Sequence, residues 1–208
     1  MRGPSIDDYL QTRSQRLLGL VLLHAFRFPV PDWRLVKDET DIAALTLGAS
    51  EHGWTIRTAR LDGQSEYGRF FANNVPVTNV AEVLRARLSK NVGREACILY
   101  PSWDPLAFVN VLIGNEQAII EGVYGHENTI TRSGSPDFSF PDANVQQERF
   151  SQLGPPMSDR LKAIMRHCRK LPYPSYHLEA SVTRAGKVVF YDLFGVNVPL
   201  IDQGTGTK

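Results

Sequence analysis

The chain has 208 residues, 42% hydrophobic and 22% charged, which is enough for a sizeable core without disulfides. A net charge of +1 offers no global basic field, so composition gives no reason to expect a nucleic-acid partner. Cys97 and Cys168 sit in apolar segments without CxxC spacing, which excludes a zinc ribbon and a redox motif and suits reduced core residues of a cytoplasmic protein.

The apolar run from Leu17 to Phe26 is too short to span a membrane, and no small-residue cleavage site follows it, so neither anchor nor signal peptide is expected. Ser5 followed by Asp8 reads as a helix cap, with the helix running to about Ala25. Pro29 and Pro31 end it. Trp33 to Val36 reads as a short strand, and Asp38 caps a short helix through Leu47 closed by Gly48. Trp54 to Ala59 is a strand ending in cations, followed by a polar loop with Gly63 and Gly68. Thr78 is expected to cap a helix with Val80, Val83, Leu84 and Leu88 at helical spacing.

The middle of the chain is β-rich. Ala96 to Tyr100 is an apolar strand ending at Pro101. Phe108 to Ile113 and Gln117 to Val123 form an expected hairpin, turning at Gly114-Asn115-Glu116. Thr129 to Arg132 and Asp137 to Phe140 read as shorter strands, and the polar stretch from Asn144 to Pro156 as irregular. Ser158 then caps an amphipathic helix carrying Leu161, Ile164, Met165 and Cys168, ended by Pro172 and Pro174.

The last pair of strands, His177 to Thr183 and Lys187 to Asp192, flanks Arg184-Ala185-Gly186. With a two-residue loop at Ala185-Gly186, Glu179 lies directly opposite Asp192. Facing acids repel, and a cation relieves that cost. A divalent ion such as Mg²⁺, carried by nucleotide phosphates, takes one or two carboxylates of this kind. The same pattern also fits two acids solvated on an exposed sheet face, since a one-residue slip of register separates them. Upstream, Arg57 and Arg60 flank a strand end beside the glycine loop, where cations and backbone N–H groups can hold phosphate.

The stretch from Glu121 to Ile130, then Gly134 and Pro136-Asp137-Phe138, resembles a segment of the phosphoenolpyruvate synthase and pyruvate phosphate dikinase family. Ile56-Arg57-Thr58-Ala59 is similar to that family's Ile/Val-Arg-Ser-Ser-Ala strand end, and Ser65-Glu66-Tyr67-Gly68 to its glycine loop. Phe28 to Trp33 is similar to its Val-Pro-Gly-Phe stretch, and the closing hairpin to its final acidic pair of strands. The resemblance implies the N-terminal ATP-grasp nucleotide-binding domain, in shortened form.

That resemblance implies an α+β fold of two lobes, residues 1–90 and 91–208, built on mixed and antiparallel sheets with ATP between them. It places Arg57 at the phosphates and Gly68 in the loop over them; Arg60, flanking the same strand end, is taken with Arg57 as a candidate catalytic cation. Tyr100 and Ser102 fall on the linker against which adenine packs, and Glu121 and His126 in the matched nucleotide-binding segment. Glu179 and Asp192 become the Mg²⁺ ligands. The family's N-terminal lysine has no counterpart, Arg16 being the nearest cation, and Phe194 stands where the family carries an arginine. The expected function is Mg-ATP binding coupled to phosphoryl transfer or acid activation on an unknown acceptor. The alternative is a non-catalytic descendant that binds nucleotide or a protein partner, and a third reading has another chain supply the missing domains.

Overall fold

A computed structural model describes residues 14–61, 70–115, 117–125, 135–141, 143 and 147–195. The described residues open with α1 (Gln15–Ala25), capped by Ser14, whose hydroxyl accepts from the Leu17 N–H. The expected cap at Ser5 and Asp8 lies outside the described residues. The apolar residues of α1 serve two cores at once: Leu22 and Leu23 join one, while Leu17, Leu20 and Val21 join another. A helix apolar on two sides has no wide solvent face and is held between layers.

The first sheet has the order β1-β4-β2-β3, from Arg34–Val36, Glu95–Pro101, Trp54–Arg60 and Phe71–Val75. Trp54, Ile56, Cys97 and Leu99 on one face pack with Ile42 of α2 (Glu39–Ala43) and with Val80, Leu84 and Leu88 of α3 (Val80–Leu88). Asp38 does cap α2, accepting from the Asp41 N–H, but the helix ends well short of Leu47. Beyond it the Thr46 carbonyl is drawn away by Arg34 Nη1 at 2.8 Å. Thr78 does not cap α3: its hydroxyl donates to Asn79 Oδ1, and a 3₁₀ turn at Val77–Asn79 leads in. β3 is an element to which the sequence reading assigns no structure.

The second sheet has the order β7-β6-β5-β8-β9, from Phe138–Phe140, Ala118–Tyr124, Pro105–Ile113, Tyr176–Thr183 and Val188–Phe194. All its described pairings are antiparallel. One face, with Val109, Ile120, Leu178 and Phe190, buries α4 (Pro155–Cys168) through Leu161, Ile164 and Met165. α4 begins at Pro155, not at a Ser158 cap: Ser158 already donates its N–H to Gly154, and proline is preorganised for the first helical position. The stretch expected to be irregular contains a 3₁₀ turn over Gln147–Leu153.

The closing hairpin reaches its register by a different route from the expected one. Thr183 and Lys187 close a three-residue loop, with Gly186 at φ 75°. That loop shifts Val182 onto Val188 and Ala180 onto Phe190. A bulge at Tyr191 then restores the pairing of Glu179 with Asp192. The bulge places both Tyr191 and Asp192 on the sheet face away from α4, because two consecutive bulged residues share one side.

His167 of α4 is packed against the rings of Phe28 and Phe190. Burial, aided by Lys170 and Arg166, lowers its pKa from the ordinary value. Burial also lowers that of His177, against the opposing pull of Asp192. As pH falls below about 6.5 the unfolded chain binds protons that these native histidines refuse, so stability present above that range is lost on acidification. The melting midpoint is expected to drop between pH 7 and 5, and His167→Phe to flatten that slope. An unchanged slope in the variant would assign the pH dependence to other groups.

Candidate functional site

The two sheets meet at the linker Pro101-Ser102-Trp103-Asp104-Pro105, which is tied down on both sides. Ser102 donates its N–H to the Gly53 carbonyl, while its hydroxyl lies 2.7 Å from Thr55 Oγ1 and accepts from the Asn74 N–H. The Asp104 carbonyl accepts from the Arg184 N–H of the terminal hairpin. A linker fixed in this way sets how the sheets face each other.

Against it lies a cavity of about 210 Å³. The first sheet contributes Thr55, Arg57, Phe71, Asn73 and Tyr100 to its wall, and the second contributes Phe108 and Tyr191. Its apolar side is a run of rings. Tyr100 stacks on Trp103 at 5.6 Å, Trp103 lies 5.9 Å from Tyr191, and Tyr191 meets Phe108 edge-on at 6.3 Å. The Arg57 guanidinium sits over the Tyr191 ring, 5.4 Å from its centre. Whole small-molecule sites are commonly about 300–1,000 Å³, so this cavity suits one flat, partly polar end of a longer ligand.

Beside the cavity Asp192 is fully buried. Its Oδ2 is 2.6 Å from Arg57 Nη2, and its Oδ1 is 3.3 Å from Arg16 Nε. Arg16 also donates to the Thr58 carbonyl at 2.7 Å. One carboxylate therefore joins α1, β2 and β9, and so both sheets. The positive charge expected beside the facing acids is here supplied by two guanidinium groups.

Of the residues singled out in the sequence, Arg57, Tyr100 and Ser102 gather at this cavity. Ser102 has its hydroxyl committed to the linker network, so it acts on the cavity through geometry. Arg60 is not brought there: strand alternation sends it to the opposite face of β2 from Arg57, across from Glu95. Glu121, Glu179 and Asp192 do align, in the row Ser139–Glu121–Asn110–Glu179–Asp192 that crosses the whole second sheet. Glu121 accepts from the Ser139 hydroxyl at 3.1 Å and lies outside the cavity wall. Gly68 and His126 fall outside the described residues.

A Mg²⁺ ion does not fit on Asp192 in this arrangement. Mg²⁺ keeps several waters when it binds protein, whereas this carboxylate has no solvent contact and lies within ion-pair distance of two guanidinium groups, although its Oδ2 accepts no hydrogen bond. Sequence reading assigns no site role to Trp103, Tyr191, Phe108 or Asn73. The signal for Tyr191 was absent, because strict alternation puts it on the face opposite Asp192 and only the bulge brings the two together.

No protein-family model matches the chain, and no curated protein matches it. Solved structures do. N5-carboxyaminoimidazole ribonucleotide synthetase purK, as its ADP complex, matches with a TM-score of 0.53 and 16% identity over 90% of this chain and 46% of that one. The ADP complex of N5-carboxyaminoimidazole synthetase from Staphylococcus aureus matches at 0.51 and 14%, over 91% of this chain and 46% of that one. The RimK domain protein ATP-grasp from Sphaerobacter thermophilus matches at 0.53 and 18%, over 89% of this chain and 60% of that one. The chain thus spans about half the length of these proteins. These similarities overturn the expected membership of the phosphoenolpyruvate synthase family. What the likeness shows is the fold: the chain has an ATP-grasp fold.

Proposed function

We propose that the cleft between the sheets binds an adenine nucleotide, ATP or ADP, and that the full protein uses ATP to activate or ligate an acid acceptor. The observation that carries this reading is the cavity at the linker, walled by Tyr100, Trp103, Phe108 and Tyr191 with Arg57 at its edge. Aromatic faces suit a purine, and a guanidinium suits the charged end of the same ligand. Two of the similar solved structures are ADP complexes, which supports the choice of nucleotide.

A second reading, nucleotide binding without turnover, is favoured by one feature: the carboxylate expected to carry metal is enclosed by Arg16 and Arg57. The two lobes of this reading divide at the linker that follows β4, since that strand belongs to the first sheet.

The test is a thermal melt with millimolar ADP or ATP. A ligand that binds only the native state at about 100 times its Kd adds about 2.7 kcal/mol, and for a chain of this size the midpoint should rise by about 5–10 °C. No shift with either nucleotide, with calorimetry also silent, would end the nucleotide reading and leave the fold standing.

A further inference from the structure

The buried triad Arg16–Asp192–Arg57 occupies the place where the terminal hairpin was expected to hold a divalent ion. For Asp192 to ligate Mg²⁺, both contacts would have to break and hydrated space would have to open around a carboxylate that has none. Meanwhile the geometry gives Asp192 another task. Arg57 lies over Tyr191 and lines the cavity, and its guanidinium meets Asp192 Oδ2 at 2.6 Å. Tyr191 and Asp192 are the two residues that the β9 bulge turns to the same side. One distortion of one strand thus supplies both the ring beneath the guanidinium and the carboxylate that orients it. A planar guanidinium held on two sides keeps little rotational freedom, so it loses little on meeting an anion.

We infer that Asp192 is a positioning residue which fixes Arg57 at the cavity, and that nucleotide binding in this cleft does not require a divalent cation. The inference rests on the nucleotide reading above and departs from the metal role expected of the hairpin. It makes the charged end of the ligand a partner of guanidinium rather than of a metal on β9. Arg16 completes the arrangement from α1: its second bond, to the Thr58 carbonyl, pins it to the strand that carries Arg57.

The experiment is a calorimetric titration of ADP into the whole chain, once in Mg²⁺ and once in EDTA. The expected result is an affinity that differs by less than about threefold between the two media. Asp192→Asn, which keeps the shape and removes the charge, is then expected to weaken ADP about tenfold in both media alike. Its fold is checked by circular dichroism, and the wild-type titration decides the main point even if this variant does not fold. Binding of ADP by wild type only when Mg²⁺ is present would overturn the inference and keep the nucleotide reading. Loss in Asp192→Asn of the Mg²⁺-dependent part alone would also overturn it, because that is how a metal ligand behaves. No binding in either medium would overturn both.

Discussion

Replacing Asp192 with alanine is expected to lower stability by about 3–5 kcal/mol, the usual cost of stripping one partner from a buried ion pair. The cost is high because two groups lose their counter-charge at once. The Arg16 and Arg57 side chains are only 10% and 13% exposed, so water cannot replace the carboxylate without moving them. The loss also falls at a junction: α1, β2 and β9 meet at this one side chain. Arg16→Gln is the informative contrast. It leaves Asp192 with Arg57 as a one-to-one pair and retains a donor for the Thr58 carbonyl, so it is expected to cost only about 1 kcal/mol. Urea unfolding of the two variants measures both numbers. Equal losses would show that the second guanidinium matters as much as the carboxylate itself, and the asymmetry argued for the triad would be wrong.

Gly19→Ala is expected to destabilise by about 2 kcal/mol, although alanine is the better helix former. A β-carbon at this position would lie 2.3 Å from the Leu193 carbonyl oxygen and 3.0 Å from the Leu193 nitrogen. Both are backbone atoms of β9, which cannot swing aside as a side chain could. Overpacking of this kind costs about 3 kcal/mol at its upper range, and the gain in helix propensity returns about 1 kcal/mol. The net loss should lower the melting midpoint by about 4–8 °C. A midpoint that rises instead would mean that α1 and β9 separate readily, and that the helix is less firmly seated than its packing implies.

Much of the fold was legible because its strands obey simple alternation. The hairpin at Gly114-Asn115 stands as expected, closed by the Gly114 N–H bonding to Gln117. The opposition of Glu179 and Asp192 was also foreseen, but on a two-residue loop. In the structure a three-residue loop shifts the register one way and the Tyr191 bulge shifts it back. Two departures from ideal geometry cancel at that pair, and nothing local in the sequence announces either. The nature of the cation was illegible for a related reason. Arg16 lies 176 residues from Asp192 in the chain, and only the seating of α1 against β9 through Gly19 brings them together. Arg57 and Arg60 illustrate the opposite case. Both are arginines near one strand end, yet period-two alternation, readable from the sequence, already sets them on opposite faces. β3 was missed because Phe-Ala-Asn-Asn-Val lacks β-branched residues until its end.

That same short strand bears on self-association. β3 is an edge of the first sheet, and an exposed edge invites a strand from another molecule. Here Phe71 is 45% exposed and would make such an edge adhesive. The register of β3 against β2 breaks between Trp54 and Ile56, and Asn74 adopts the left-handed conformation at φ 57°. A kinked edge with an asparagine turned out of line cannot template a continuous ladder. On the opposite edge β1 is only three residues long. In the second sheet the outer strand β9 has its Phe190 N–H already taken by the Pro29 carbonyl. The irregularity at Asn73-Asn74, which shapes one wall of the cleft, therefore also guards the sheet against edge-to-edge aggregation.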